Sequence, residues 1–265
     1  MSNPASEARV SHAFLRAMIL PALLVALWGV AYDAGWLNPK VFVSPLAVLR
    51  AAWTGFGDGS VPGAALATLA RAMAGWVIGA GIGLVFGIAL GISGVARGLF
   101  DPTVNSLRQI ALFAWIPLLS AWLGNGETMK ITLIALGAFF PMALGAQAGT
   151  QNVPIGWREL GAALELGPVE RLRRIILPAA LPAIVTGVEL SLNVAWLGTF
   201  GAEYLIGTGY INGMGDGLGA YLAAAREYAR MDQVLLGVLI LGIIGVSLDR
   251  GVAHLSRKVA PWQTH

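Results

Sequence analysis

Charge is what this sequence has least of. Only 12% of its 265 residues are Asp, Glu, Lys or Arg, about half the share of a soluble domain. A water-soluble fold of this length could not cover its surface with so few. Cysteine is absent, which excludes a disulfide framework, a thiolate metal centre and a Cys nucleophile. The three histidines, His12, His254 and His265, lie near the two ends, so no His-based catalytic or metal centre is expected in the middle. No Gly-x-x-x-x-Gly-Lys-Ser/Thr run occurs. Gly124-Asn-Gly-Glu-Thr-Met-Lys130 comes nearest but lacks the spacing, so ATP binding through a phosphate loop is excluded. What is abundant is apolar: 57% of residues are hydrophobic and mean hydropathy is +0.72. That excludes intrinsic disorder and leaves an integral membrane protein.

Only helices and closed barrels satisfy their backbone polar groups in lipid. The long unbroken apolar blocks here predict helices, not the alternation of barrel strands. Six blocks are read as spans: about Leu15 to Tyr32, Ala65 to Ser93, Pro102 to Leu123, Met129 to Gly149, Leu181 to Ile206 and Met231 to Leu248. The first follows Arg9 and Arg16 like a secretory signal, but Val30-Ala31-Tyr32-Asp33 is a poor cleavage site, so an uncleaved anchor is expected. With the N-terminus inside, Arg9, Arg16, Arg97, Arg108, Arg158, Arg171, Arg173, Arg174, Arg250, Arg257 and Lys258 fall on the cytoplasmic side. Lys40, Arg50, Arg71, Lys130, Arg226 and Arg230 fall outside. The excess of basic residues inside predicts that both termini are cytoplasmic.

Three regions follow from this layout. Residues 1–64 form an N-terminal tail, the first span and an external amphipathic segment. Residues 65–257 form the core, with a loop at about 150–180, and 258–265 a C-terminal tail. In the external segment, Ser44-Pro45 predicts an N-cap and first turn, for a surface helix from Pro45 to about Phe56. In the second span, Gly75, Gly79, Gly83, Gly87 and Gly91 recur every four residues, the pattern of a helix face that another helix approaches closely.

The loop after the fourth span is not loop-like. Trp157 to Leu166 predicts a helix, Gly167 its C′ stop, and Pro168 the first turn of a second helix ending in Arg171, Arg173 and Arg174. This reads either as a docking knob on the cytoplasmic face or as an interfacial helix on anionic headgroups.

That loop resembles the EAA loop of binding-protein-dependent ABC importer permeases, whose pattern is Glu-Ala-Ala, three residues, Gly, nine residues, then Ile-x-Leu-Pro. Two frames fit. In the preferred frame Gly161 stands for the Glu, Ala162-Ala163 and Gly167 keep their spacing, and two residues are missing before Ile175-Ile176-Leu177-Pro178. In a gapless frame Glu159 takes the Glu position and Glu165 the Gly position. Further stretches resemble the nitrate/sulfonate/taurine-type permeases: Asp101-Pro102 to Arg108, Ala114-Trp-Ile-Pro-Leu118, Trp122-Leu-Gly-Asn-Gly-Glu-Thr128, Ala138-Phe-Phe-Pro141, Leu177 to Gly187, Ala202-Glu203 and Leu248-Asp-Arg250. The likeness covers roughly Ala65 to Arg257 and is poorer between Glu203 and Met231, where 206–219 looks longer than the family's external segment.

The resemblance implies an all-α membrane protein of six transmembrane helices with the MetI-like type I ABC importer permease architecture, in the bacterial inner membrane. It implies a permease without ATPase activity, paired with a second permease copy, two cytoplasmic ABC ATPases and an extracytoplasmic solute-binding protein. Neither cofactor nor nucleic acid is expected on this chain, since ATP and Mg would sit on the partner ATPase. The ATPase-coupling residues implied are Glu159, Gly161, Ala162, Ala163, Glu165, Leu166, Gly167 and Arg171.

Polar residues inside a bilayer default to functional hypotheses. Glu189, Asn193, Trp196, Thr199, Phe200 and Glu203 fall at three- and four-residue steps on the fifth span. They are expected to line the translocation pathway, with interhelical hydrogen bonding as the alternative. Ser106, Ile110 and Phe113 on the third span, near Pro117, are the other expected wall. Arg108 is read either as attracting an anion or as snorkelling to the interface. A self-sufficient channel or secondary transporter is the alternative function, although no repeat is visible. An intramembrane enzyme lacks the usual acid–base and nucleophile sets.

Overall fold

A computed structural model describes residues 4–36, 38, 42–206 and 217–259. Lys40, the external segment 207–216 and residues 260–265 lie outside the described residues. So do the side chains of Arg9, His12, Arg16, Arg158, Ala162, Arg257 and Lys258. Among the described residues there are helices and no strand.

The elements are α1 (Pro4–Asp33), α2 (Pro45–Gly57), α3 (Ser60–Ile92), α4 (Gly94–Leu107), a 3₁₀ turn (Leu112–Trp115), α5 (Ile116–Leu123) and α6 (Glu127–Gln151). Then come α7 (Ile155–Ala163), α8 (Pro168–Arg171), a π turn (Leu172–Ile176), α9 (Leu177–Ile206), α10 (Gly217–Glu227) and α11 (Met231–Val259). Four stretches are long and apolar enough to cross a membrane: Ser60–Ile92, Glu127–Gln151, Pro168–Ile206 and Met231–Ser256. The apolar part of α1, Ile19–Asp33, is shorter, and it packs chiefly on α2.

The third predicted span is corrected. It is no single helix: α4 and the Leu112–Leu123 segment meet at a 95° bend. Pro117 does not kink a helix interior, because it occupies the first turn of α5, where a missing N–H costs nothing. The chain breaks upstream, at 108–111. Among the described residues, four helices reach spanning length and apolarity, or five if the bent pair is one span.

The core is α3 on α6 on α9. The glycine stripe makes the first contact. Gly75, Gly79, Gly83, Gly87 and Gly91 all face α6. A Cβ on Gly83 would lie 2.6 Å from the Phe139 carbonyl oxygen, and on Gly79 and Gly87 it would collide with the Ala135 and Ala143 carbonyls. The small-residue spacing is thus backbone-to-backbone helix packing, as the sequence predicts. Trp76 adds a hydrogen bond from its indole N–H to Ser191 Oγ on α9, 2.9 Å. α2 also follows its sequence: Ser44 Oγ accepts from the Ala47 N–H at 3.2 Å, with Pro45 in the first turn. Its outer face carries exposed Leu46, Leu49, Trp53 and Phe56.

Candidate functional site

Three places carry polar or unpartnered groups: the α7 end of the bundle, the opposite α10 end, and an open groove between them.

At the α7 end, the helix expected from Trp157 to Leu166 is shifted. It runs Ile155–Ala163 and closes with the Leu164 N–H on the Leu160 carbonyl and the Leu166 N–H on the Gly161 carbonyl. That is a Schellman closure, and its left-handed residue is Glu165, at φ 52°. Gly167 is not the C′ stop. It has φ −61° and N-caps α8, and a Cβ there would meet nothing. Glu165→Gly is therefore expected to raise stability by about 0.5–1 kcal/mol, the left-handed penalty less glycine's extra chain entropy. Gly167→Ala should leave stability unchanged. Thermal melts of the two variants check both.

The arginines are also re-placed. Arg171, Arg173 and Arg174 do not end a second helix, because α8 passes through the π turn directly into α9, one continuous helix Pro168–Ile206. The Leu177 N–H bonds the Leu172 carbonyl. This changes the hydrogen-bond register just before Pro178, which has no N–H to give.

Of the predicted coupling residues, Glu159, Ala163, Glu165 and Gly167 are exposed, and Leu166 and Arg171 are half-buried. Gly161 is buried: a Cβ there would meet Ile175 Cδ1 at 2.8 Å and Arg171 Cδ at 3.2 Å, so it seats α7 on the π turn. Ala162's side chain is outside the described residues. The residues that sequence reasoning missed are apolar. Ile155, Trp157, Leu160, Leu164 and Val169 are all more than half exposed, Val169 at 76%.

At the α10 end, Glu203 is corrected. It is 0% exposed and lines no open surface of this chain. Its Oε1 accepts from Arg71 Nη1 at 2.7 Å, and its Oε2 from Thr68 Oγ1 at 2.7 Å and the Gly219 N–H at 3.0 Å. Thr68 Oγ1 in turn accepts from the Leu218 N–H at 2.7 Å. One carboxylate thus ties α3, α9 and the first turn of α10 together. Arg71 is not on the outer surface either; it is 7% exposed and also pairs through Nε with Glu127 on α6. Lys130, likewise buried, lies 3.4 Å from the same Glu127. The missed signal was helical phase: Thr68 and Arg71 continue the Gly75–Gly91 face by three- and four-residue steps.

The expected α9 stripe is split among three faces. Thr199 is buried with its hydroxyl on the Ala195 carbonyl. Trp196 packs on Gly245 of α11, where a Cβ would meet its indole nitrogen at 2.8 Å. Asn193 is exposed, on a face shared with Thr186, Leu190 and Leu197. Glu189 and Phe200 are half-buried, and Phe200 stacks on Tyr204 with ring centroids 5.5 Å apart. The other expected wall is divided by the bend. Ser106 donates to the Pro102 carbonyl at 2.8 Å, Ile110 lies exposed in the break, and Phe113 packs its ring on Gly201 of α9. Asp101 and Gln147 join α4 to α6 by a 2.8 Å hydrogen bond.

Residues 79–261 match the family of binding-protein-dependent transport system inner membrane components. The chain belongs to this family. The permease is 32% identical over 96% of its length, and 90% of the relative's, to SsuC of Bacillus subtilis (strain 168), a permease protein provisionally assigned to aliphatic sulfonates transport. It is 32% identical to the taurine transport system permease protein TauC of Escherichia coli (strain K12), over 91% of this chain and 87% of the relative. It is 31% identical to the nitrate import permease protein NrtB of Synechocystis sp. (strain ATCC 27184 / PCC 6803 / Kazusa), over 74% and 68%. The all-α membrane fold, the multi-pass inner-membrane location and the role as a transport component rather than an enzyme follow from this membership and the apolar helices.

Proposed function

We propose that two copies of this permease form the translocation pathway of an ATP-driven importer for a small anionic or zwitterionic solute, such as a sulfonate, taurine or nitrate. Two ABC ATPases, which hold ATP and Mg, dock on the α7 end. A solute-binding protein delivers substrate at the α10 end, and both termini are cytoplasmic. The relatives' names support the substrate class. The observation that carries the reading is the α7 end itself. Exposed Leu160, Leu164 and Val169 stand beside Glu159, Glu165 and Arg171 on a compact turn, and such a mixture of apolar anchors and charges suits a protein partner. Within this reading the gapless motif frame is preferred, because Glu165, not Gly167, holds the backbone conformation that glycine favours.

The test is co-reconstitution of permease, ATPase and binding protein in proteoliposomes. Val169→Asp together with Leu164→Asp should lower both uptake and substrate-stimulated ATP hydrolysis on the order of tenfold or more, the loss of interface anchors, while membrane insertion is kept. Unchanged uptake and hydrolysis would place the ATPase contact elsewhere.

A further inference from the structure

The geometry points to Arg108 as an anion-binding residue of the translocation pathway, holding the negatively charged group of the solute in an open groove between α6 and α9. The inference rests on the importer reading above and adds a residue and a contact to it.

Arg108 stands at the elbow of the 95° bend, as the C-cap of α4. The last carbonyls of a helix favour a cation there. Every other basic residue within the α3–α6 bundle is spoken for. Arg71 pairs with Glu127 and Glu203, Lys130 with Glu127, and Arg97 donates to the Leu90 and Gly91 carbonyls at 3.3 and 3.0 Å. The Arg108 guanidinium has no hydrogen bond or ion pair among the described residues.

It borders instead a groove of about 580 Å³, walled by Pro141, Gly145, Thr186, Gly187 and Leu190 among others. That volume suits a small-molecule site. The groove exists because Gly145 and Gly187 let α6 and α9 meet backbone to backbone: a Cβ on Gly145 would lie 2.7 Å from the Gly187 Cα. Thr186 donates its hydroxyl to the Pro182 carbonyl at 3.2 Å, so the guanidinium is the charged donor on this wall. The wall segment Phe140 to Ala148 lies about 5–17 Å from the Gln151 end of α6, at 1.5 Å per residue. Arg108, exposed on this chain, borders that stretch of the wall. An unpaired charge at such depth is costly in lipid unless it faces water or a counter-ion. A solute anion crossing the groove is that counter-ion, and an apolar wall with one guanidinium lets it bind and leave.

A bound anionic lipid headgroup would offer the same chemistry, so the experiment separates the two. Wild-type, Arg108→Gln and Arg108→Lys complexes, each with ATPase and binding protein, are reconstituted in phosphatidylcholine vesicles with and without phosphatidylglycerol. Uptake of ethanesulfonate, taurine and nitrate is measured together with ATP hydrolysis. Arg108→Gln should lower maximal uptake of the transported anion on the order of tenfold, with the concentration of loaded binding protein giving half-maximal uptake unchanged, the mark of a lost contact during passage. ATP hydrolysis stimulated by the binding protein should persist, and Arg108→Lys should recover much of the uptake. Wild-type uptake in Arg108→Gln, or no recovery with Lys, overturns the inference, as does a defect seen only with phosphatidylglycerol. If the wild-type complex takes up none of the three solutes under ATP, the substrate class of the importer reading fails instead.

Discussion

Arg71→Ala is expected to destabilise the permease by about 3–5 kcal/mol, the cost of removing one partner from a buried ion pair. Glu203 would keep its carboxylate in a fully enclosed position, with only the Thr68 hydroxyl and the Gly219 N–H to compensate. Glu127 would lose its neighbour as well. Arg71→Lys should not restore the site, because the guanidinium meets two carboxylates through Nε and Nη1 and an ammonium cannot present that fork. The double change Arg71→Met with Glu203→Met should recover much of the loss, since an apolar pair leaves no uncompensated charge. Thermal unfolding in detergent reads all three. An Arg71→Ala protein that melts with wild type would mean that the bridge does not hold the helices together.

Gly79→Leu is expected to abolish the folded bundle. The atom that its Cβ would strike is the Ala135 carbonyl oxygen of α6. Overpacking against side chains costs about 1–3 kcal/mol; here the obstacle is main chain and cannot rotate away, so α3 and α6 must separate along their whole contact. Gly81→Leu is the matched control, for that position faces open space. Size-exclusion chromatography after solubilisation should show a monodisperse Gly81→Leu protein and aggregated or absent Gly79→Leu protein. Equal yields would sink the packing argument.

What could be read in advance depended on range. Helical periodicity and small-residue spacing are local, so the glycine face of α3 and the Ser44-Pro45 start of α2 were legible. The bend at 108–111 was not, because an apolar run carries the same composition whether it is straight or folded back. Gly167 looked like a stop on propensity alone; the turn closed two residues earlier, with a strained Glu165. The deepest misreading concerned charge. The basic-residue rule puts Arg71 and Lys130 at a membrane edge, and the α9 stripe puts Glu203 on the pathway, whereas Arg71 binds Glu127 and Glu203, more than fifty residues away on other helices, and Lys130 pairs with Glu127 one turn away on α6. Only helical phase linked Arg71 to the buried face of α3.

The continuous helix from Pro168 to Ile206, with its π turn near one end, has a mechanical meaning. It spans 39 residues, a rod about 58 Å long at 1.5 Å per residue. Ile175, under α7, is near one tip, and Glu203, under α10, is near the other. If the π turn and Pro182 do not flex, a tilt of about 5° about its middle carries the two tips about 2.5 Å in opposite directions, by the same rise per residue. A push on the turn below α7 therefore arrives at the Glu203 clasp as a pull of the same size, with no intermediate part to relay it.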